Sequence, residues 1–312
     1  MNEEIRNKAL ALKDGVNRFF VGKEEVTEDV IICLLSGGHV LLEDVPGVGK
    51  TTLALSLARS MKCSFGRLQF TPDTLPSDVS GMSVYRMNTG EFVYQPGVVM
   101  NNVVLADEIN RTSPKTQAGL LEAMEELKVT VDNVVHPLPE PFLVIATQNP
   151  VEFLGTYPLP EAQLDRFMMR LSIGYPGREE ELSMAEKALS GELYREAEAV
   201  ADAADVLAMR EEAASVYIAE EVLAYMNDIV RATREEKQFA YGASPRAFIQ
   251  LARAAKAKAY LSGRDYVKPD DVKDVAEKVL SHRISLSPEA RIRKASVSEI
   301  LRNLIIKTRV PV

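Results

Sequence analysis

Between residues 40 and 173 short apolar runs alternate with amphipathic stretches. Val40 to Leu42, Arg67 to Phe70, Val103 to Ala106, Phe142 to Ala146 and Met168 to Ile173 read as strands, with helices near Thr51 to Met61 and Lys115 to Leu127. Continuous apolar strands separated by helices predict an α/β fold, a parallel sheet with helices on both faces. In such sheets ligands sit beyond the carboxyl ends of the strands. Before this pattern come an amphipathic helix from about residue 2 to 20, Val21-Gly22, and a second helix ending before Gly37-Gly38. Two segments interrupt it. Ser83 to Tyr94 turns at Asn88-Thr89-Gly90 and Val129 to Leu138 turns at Asp132-Asn133, so each predicts an inserted β-hairpin. After Tyr175-Pro176-Gly177 the strand signals stop. Stripes such as Val222, Leu223, Met226, Ile229 and Val230 have helical spacing, and so do Val272, Val275, Ala276 and Val279, and Ile300, Leu301, Leu304 and Ile305. They predict a small all-α domain over residues 181–312, following an α/β domain over 1–180.

With 312 residues, 46% hydrophobic and 26% charged, the chain has the composition of an ordinary globular protein. Its charged first ten residues do not resemble a secretory signal, and its longest apolar run, Val30 to Leu35, is far too short to span a membrane. A cytoplasmic protein with no membrane span is expected. Cys33 and Cys63 both read as apolar helical positions, hence as reduced, buried thiols. The net charge of −8 argues against a nucleic-acid footprint over the whole surface. Residues 240–312 nevertheless hold 15 Lys/Arg against 7 Asp/Glu, which leaves −16 on residues 1–239. The basic end could touch nucleic acid or a membrane; opposite faces meeting between neighbouring copies is the favoured reading.

The densest chemistry lies in HVLLEDVPGVGKTT, His39 to Thr52, where a strand enters a glycine-bearing turn and then a helix. Backbone N–H groups of such a turn, at the positive end of a helix, suit the phosphates of a nucleotide. Lys50 would reach the β- and γ-phosphates, and the Thr51 hydroxyl would hold Mg²⁺. The strict GxxxxGK[ST] pattern wants glycine where this chain has Asp44, which reads as a variant at the rim of the loop. The strand Val103 to Ala106 delivers Asp107 and Glu108 at its end, Asp107 fitting the Mg²⁺ shell and Glu108 the polarisation of the attacking water. The strand Phe142 to Ala146 delivers Asn149, whose amide could bond both that water and a γ-phosphate oxygen. Ser244-Pro245-Arg246 reads as an N-cap, a first-position proline and an arginine in the first turn. A cation there opposes the helix dipole, so either a phosphate or the acid of a salt bridge is expected beside Arg246.

Together these features resemble the AAA+ ATPases, and more closely their MoxR family. The resemblance runs from Val21-Gly22 through the Walker A Lys50-Thr51, the Walker B DEIN at Asp107 to Asn110, the sensor 1 ATQNP, LPEAQLDRF at Leu159 to Phe167, and the sensor 2 SPR at Ser244 to Arg246. DEINRTSPKTQAGLLEAMEE, Asp107 to Glu126, points to MoxR within the branch that also holds magnesium chelatase ATPase subunits and replicative MCM motors. The hairpins match that branch's helix-2 and pre-sensor-1 inserts. The resemblance implies nucleotide contacts from Val21, Gly22, Pro46, Gly47, Val48, Gly49, Lys50, Thr51, Thr52 and Asp107, with Mg²⁺ on Thr51 and Asp107. It implies catalytic roles for Lys50, Glu108, Asn149, Arg166 and Arg246, Arg166 being the finger given to the ATP of the next subunit. Arg111 is a second candidate for an interface contact or a surface ion pair, and whether Arg246 serves its own nucleotide stays open.

By the same resemblance, the chain is expected to form a homo-oligomer, a hexameric ring, in which Mg·ATP hydrolysis remodels protein clients alongside a partner bearing a von Willebrand factor A domain. The alternatives are the motor of a metal chelatase, a nucleic-acid translocase, and a switch in which hydrolysis is incidental. Tyr85, Phe92 and Tyr94 in the first hairpin are candidates for client contact or simple cross-strand pairs.

Overall fold

The Asn2 side chain accepts from Glu4 N and starts the first helix, whose acidic first turn suits the helix dipole. In the computed structural model, residues 2–149, 156–190 and 198–311 are described. The elements begin with α1 (Glu3–Asn17), α2 (Glu24–Leu35), β1 (Val40–Glu43), α3 (Lys50–Ser60), β2 (Phe65–Gln69), α4 (Pro76–Ser80), β3 (Gly81–Arg86) and β4 (Glu91–Pro96). Next come β5 (Val103–Asp107), α5 (Pro114–Glu126), β6 (Lys128–Val131), β7 (Val134–Pro137), β8 (Leu143–Gln148), α6 (Glu161–Leu164) and β9 (Met169–Leu171). The second half holds α7 (Arg178–Leu189), α8 (Ala203–Ser215), α9 (Glu220–Glu235), β10 (Phe239–Tyr241), α10 (Pro245–Leu261), α11 (Pro269–Leu280), β11 (Ser285–Leu286), α12 (Pro288–Ile292) and α13 (Val297–Lys307).

Five strands form one sheet in the order β2-β5-β8-β1-β9, each neighbouring pair parallel. Side chains alternate across it as the pleat requires. Leu42, Val103, Leu105, Leu143 and Ile145 enter one core with residues of α1, α2 and α3, while Leu41, Val104, Ala106, Val144 and Ala146 pack against Leu120, Leu121 and Met124 of α5. β2 differs from the buried strand its sequence suggested: it lies at the sheet edge, with Arg67 and Gln69 exposed.

Both inserted hairpins are present, β3 with β4 and β6 with β7, each a separate antiparallel pair. They are joined by the Tyr94 ring, stacked on His136 with centroids 3.8 Å apart.

The all-helical reading of the second half needs one amendment, since β10 pairs antiparallel with β11. Strands of three and two residues offer too few positions to display a period of two. The stripe residues Val222, Met226, Ile229, Val272, Val275, Ala276, Val279, Leu301 and Ile305 are buried, in a core continuous with that beneath the sheet. The thiols also divide. Cys33 is buried in α2, but Cys63 falls beyond the end of α3 and is only partly buried, its pKa pushed up to about 11 first by burial. Among the described residues no helix is long and apolar enough to cross a membrane.

Candidate nucleotide site

The turn between β1 and α3 needs backbone that only glycine adopts cheaply: Gly47 and Gly49 have φ of +88° and +89°. Gly49 precedes α3 without a side-chain cap, so the first-turn N–H groups stay available to an anion. Beside them opens a cavity of about 390 Å³ lined by Pro46, Gly47, Gly49, Lys50, Thr51, Arg67, Gln69, Asp107, Glu108 and Thr147. These residues come from the carboxyl ends of β1, β2, β5 and β8, where a parallel sheet places its ligand. A larger cavity of about 550 Å³, walled by Leu35, Leu223, Phe248 and Ile249, lies away from this chemistry, so volume alone does not locate the site.

Burial pushes the Lys50 amine down from its ordinary range, opposed by the negative charges of Asp44, Asp107 and Glu108. Its Nζ donates to the Asp44 carbonyl oxygen at 2.9 Å. Asp44 is no rim residue, which corrects the sequence reading. It is buried, and its carboxylate accepts from Ser172 Oγ at 2.9 Å, Ile173 N at 2.6 Å and Gly174 N at 3.0 Å. Asp44 therefore ties the start of the loop to the segment leading from β9 into α7, a partnership across some 130 residues that no local pattern reveals.

Asp107 Oδ2 accepts from Arg67 Nε at 2.8 Å, and Asp107 Oδ1 accepts from the Thr147 hydroxyl at 3.3 Å. Thr147 in turn accepts from Glu108 N at 2.8 Å. Glu108 has φ +58°, a left-handed conformation costing a non-glycine residue of order 1 kcal/mol, and it lines the cavity beside Asp107. Its Oε2 lies 3.2 Å from Arg111 Nε, an ion pair outside hydrogen-bonding geometry. Arg67 and Thr147 are site residues that the sequence reading missed; Thr147 stands near the carboxyl end of β8, which was an available signal, whereas Arg67 lies mid-strand in β2 and offered none. Thr51 and Asp107 face one cavity, and no group of three or more His, Cys, Asp or Glu gathers a metal among the described residues. That donor set fits Mg²⁺, which keeps waters and takes substrate phosphates as ligands.

Other sequence candidates lie at or outside the rim. The Val48 side chain enters the core, and Thr52 follows the lining residues. Val21 and Gly22 do not line the cavity, but the preceding Phe20 sits where a Cβ on Gly49 would be 3.2 Å from its ring. Asn149 is buried just past β8, and Pro150 of the ATQNP run lies outside the described residues. Arg166 and Arg246 are not brought to this cavity. Arg166 Nη2 lies 3.1 Å from Glu125 Oε2, and Arg246 donates to Glu125 Oε1 and stands 4.0 Å from Asp165. The anion expected beside Arg246 is thus a carboxylate of α5, and Ser244 Oγ caps α10 by accepting from Ala247 N.

Residues 39–169 match the ATPase family associated with various cellular activities (AAA), and residues 231–304 match the AAA lid domain. The Uncharacterized protein YeaC of Bacillus subtilis is 48% identical over 96% of this chain and 93% of its own length. Chaperone MoxR1 of Mycobacterium tuberculosis is 42% identical over 94% and 79%, and Protein MoxR of Paracoccus denitrificans 31% identical over 91% and 90%. A crystal structure assigned provisionally as an ATPase, from Cytophaga hutchinsonii, superposes with a TM-score of 0.91 at 41% identity, covering 99% of this chain and 96% of that one.

Proposed function

This chain belongs to the MoxR family of AAA+ ATPases, and on that premise we propose that it is a cytoplasmic, ring-forming motor, a hexamer, using Mg·ATP hydrolysis to remodel a protein client. The observation that carries this reading is the meeting of Lys50, Thr51, Asp107 and Glu108 around one cavity while Arg166 and Arg246 stay outside it. A triphosphate would lie along the turn, with its charge met by α3 N–H groups and Lys50. Lys50 already has a carbonyl partner and a lowered proton affinity, so it changes partner on binding without becoming a stranded charge. Mg²⁺, held through Thr51 and Asp107, would neutralise charge developing on the phosphates. Glu108 takes the attacking water's proton, Asn149 orients that water, and Arg166 of the adjacent protomer meets the γ-phosphate.

We assign residues 1–180 to nucleotide binding and 181–312 to the lid. The name of the relative Chaperone MoxR1 supports a client-remodelling reading. In the first hairpin Phe92 is 73% exposed and pairs with Tyr85, centroids 5.2 Å apart, which suits client contact. Tyr94 is better read as a strut, since its hydroxyl donates to Ser80 O and its ring is covered by His136. A von Willebrand factor A partner belongs to the same family-based proposal. Subunit mixing tests the ring: Arg166→Ala and Lys50→Ala proteins, each inactive alone, should regain part of the turnover together. Mixed rings that form but stay inactive would refute action of Arg166 on its neighbour.

A further inference from the structure

Glu125 lies in the last full turn of α5, near the end of the Asp107 to Glu126 run, and no role is assigned to it there. One of its oxygens takes Arg246 from the first turn of α10; the other is 3.1 Å from Arg166. A single carboxylate thus spans two guanidiniums from opposite halves of the molecule. The base of Arg166 is fixed as well. Arg283, enclosed in the helical half, donates to Asp165 Oδ1 at 2.7 Å and to the carbonyl oxygens of Asp165, Phe167 and Met168 at 3.1, 2.6 and 3.1 Å. Three guanidiniums stand against the carboxylates of Glu125 and Asp165, and Glu122, Glu126 and Lys128 line the same cavity as Glu125 and Arg166.

Two long, part-exposed side chains of like charge repel and lose much rotamer freedom when ordered together. A shared carboxylate offsets both costs. Resting on the reading of Arg166 as a finger toward the adjacent protomer, we propose that Glu125 is a positioning residue that yokes Arg166 to Arg246, so that the pair meets the neighbour's γ-phosphate as one unit. Because α5 covers the sheet and α10 belongs to the helical half, the yoke also fixes how the halves sit when the arginines are presented.

The test is a mixing experiment on the full chain. Glu125→Ala alone should keep its affinity for a fluorescent ATP analogue and lose turnover by about tenfold or more, part of what a finger contributes. Glu125→Gln, which can still accept one hydrogen bond, should lose less, and thermal unfolding should show both variants folded. Lys50→Ala supplies an intact arginine pair, so mixing it with Glu125→Ala should restore turnover. Mixing Glu125→Ala with Arg166→Ala should not, since both are defective as donors. Unchanged or raised turnover in Glu125→Ala would overturn the proposal, and so would failure of Lys50→Ala to rescue it while rescuing Arg166→Ala. If Lys50→Ala rescues neither in mixed rings, the finger reading itself fails and this proposal falls with it.

Discussion

Lys50 Nζ donates to the carbonyl oxygen of Asp44 at 2.9 Å, and the same Asp44 holds Ser172, Ile173 and Gly174 through its carboxylate. The lysine that would engage a triphosphate is one residue's width from the segment entering α7. Replacing Asp44 with the glycine of the strict pattern would remove three acceptor bonds and leave two buried or part-buried N–H groups unpaired. Asp44→Gly should therefore lower stability by roughly 2–4 kcal/mol. Amide exchange at residues 172–174 should quicken more than in β5, which hydrogen exchange by mass spectrometry can check; equal protection would show that Asp44 is not the tie.

Thr51→Ala and Asp107→Asn address the metal. Each should raise the Mg²⁺ concentration giving half-maximal ATP turnover by about tenfold or more, because Mg²⁺ binds through few protein oxygens and each counts. Titrating Mg²⁺ at fixed ATP measures this. A variant with unchanged Mg²⁺ dependence would remove that residue from the metal shell.

The Tyr94 and His136 rings couple the two hairpins. Tyr94→Ala should let them move independently, costing about 0.5–1.5 kcal/mol beyond lost area and weakening client-stimulated turnover more than basal turnover. Phe92→Ala, on the exposed face, should reduce client stimulation while costing no more than about 1 kcal/mol through its cross-strand pair with Tyr85. Equal stimulation in all three proteins would place the client elsewhere.

Acid should unfold the protein partly through His39. Its ring is fully enclosed, with Nε2 against Met124 O at 3.1 Å and Nδ1 accepting from Val144 N at 3.1 Å, and burial pushes its pKa down to about 4. The unfolded chain takes up a proton near pH 6.5 and the folded one does not, so His39's share of stability is intact above 6.5 and falls as pH drops toward 4. Across that window the loss is roughly 3 kcal/mol. Buried His282 shifts in the same direction. Denaturant unfolding of His39→Gln between pH 7 and 4.5 should show a shallower decline; an identical slope would assign the acid sensitivity elsewhere.

The sheet was legible because continuous apolar runs such as Val103 to Ala106 are what a two-sided burial demands, and the site because its turn, acids and lysine follow strand ends. The illegible side-chain partnerships share one cause. Asp44 bonds Ser172, Arg283 bonds Asp165, and Glu125 bonds Arg246, pairings across roughly 120 residues or more that only the folded chain creates. β10 and β11 escaped notice for lack of length, and β2 was displaced because an edge strand carries polar positions.

Glu108 is where the account is most exposed. Glu108→Gln keeps the shape of the cavity and removes the base, so ATP with Mg²⁺ should bind with nearly unchanged affinity while single-turnover hydrolysis falls by about 10²-fold or more. Hydrolysis at the rate of the unaltered protein, with binding intact, would contradict the assignment of this site as the seat of the chemistry.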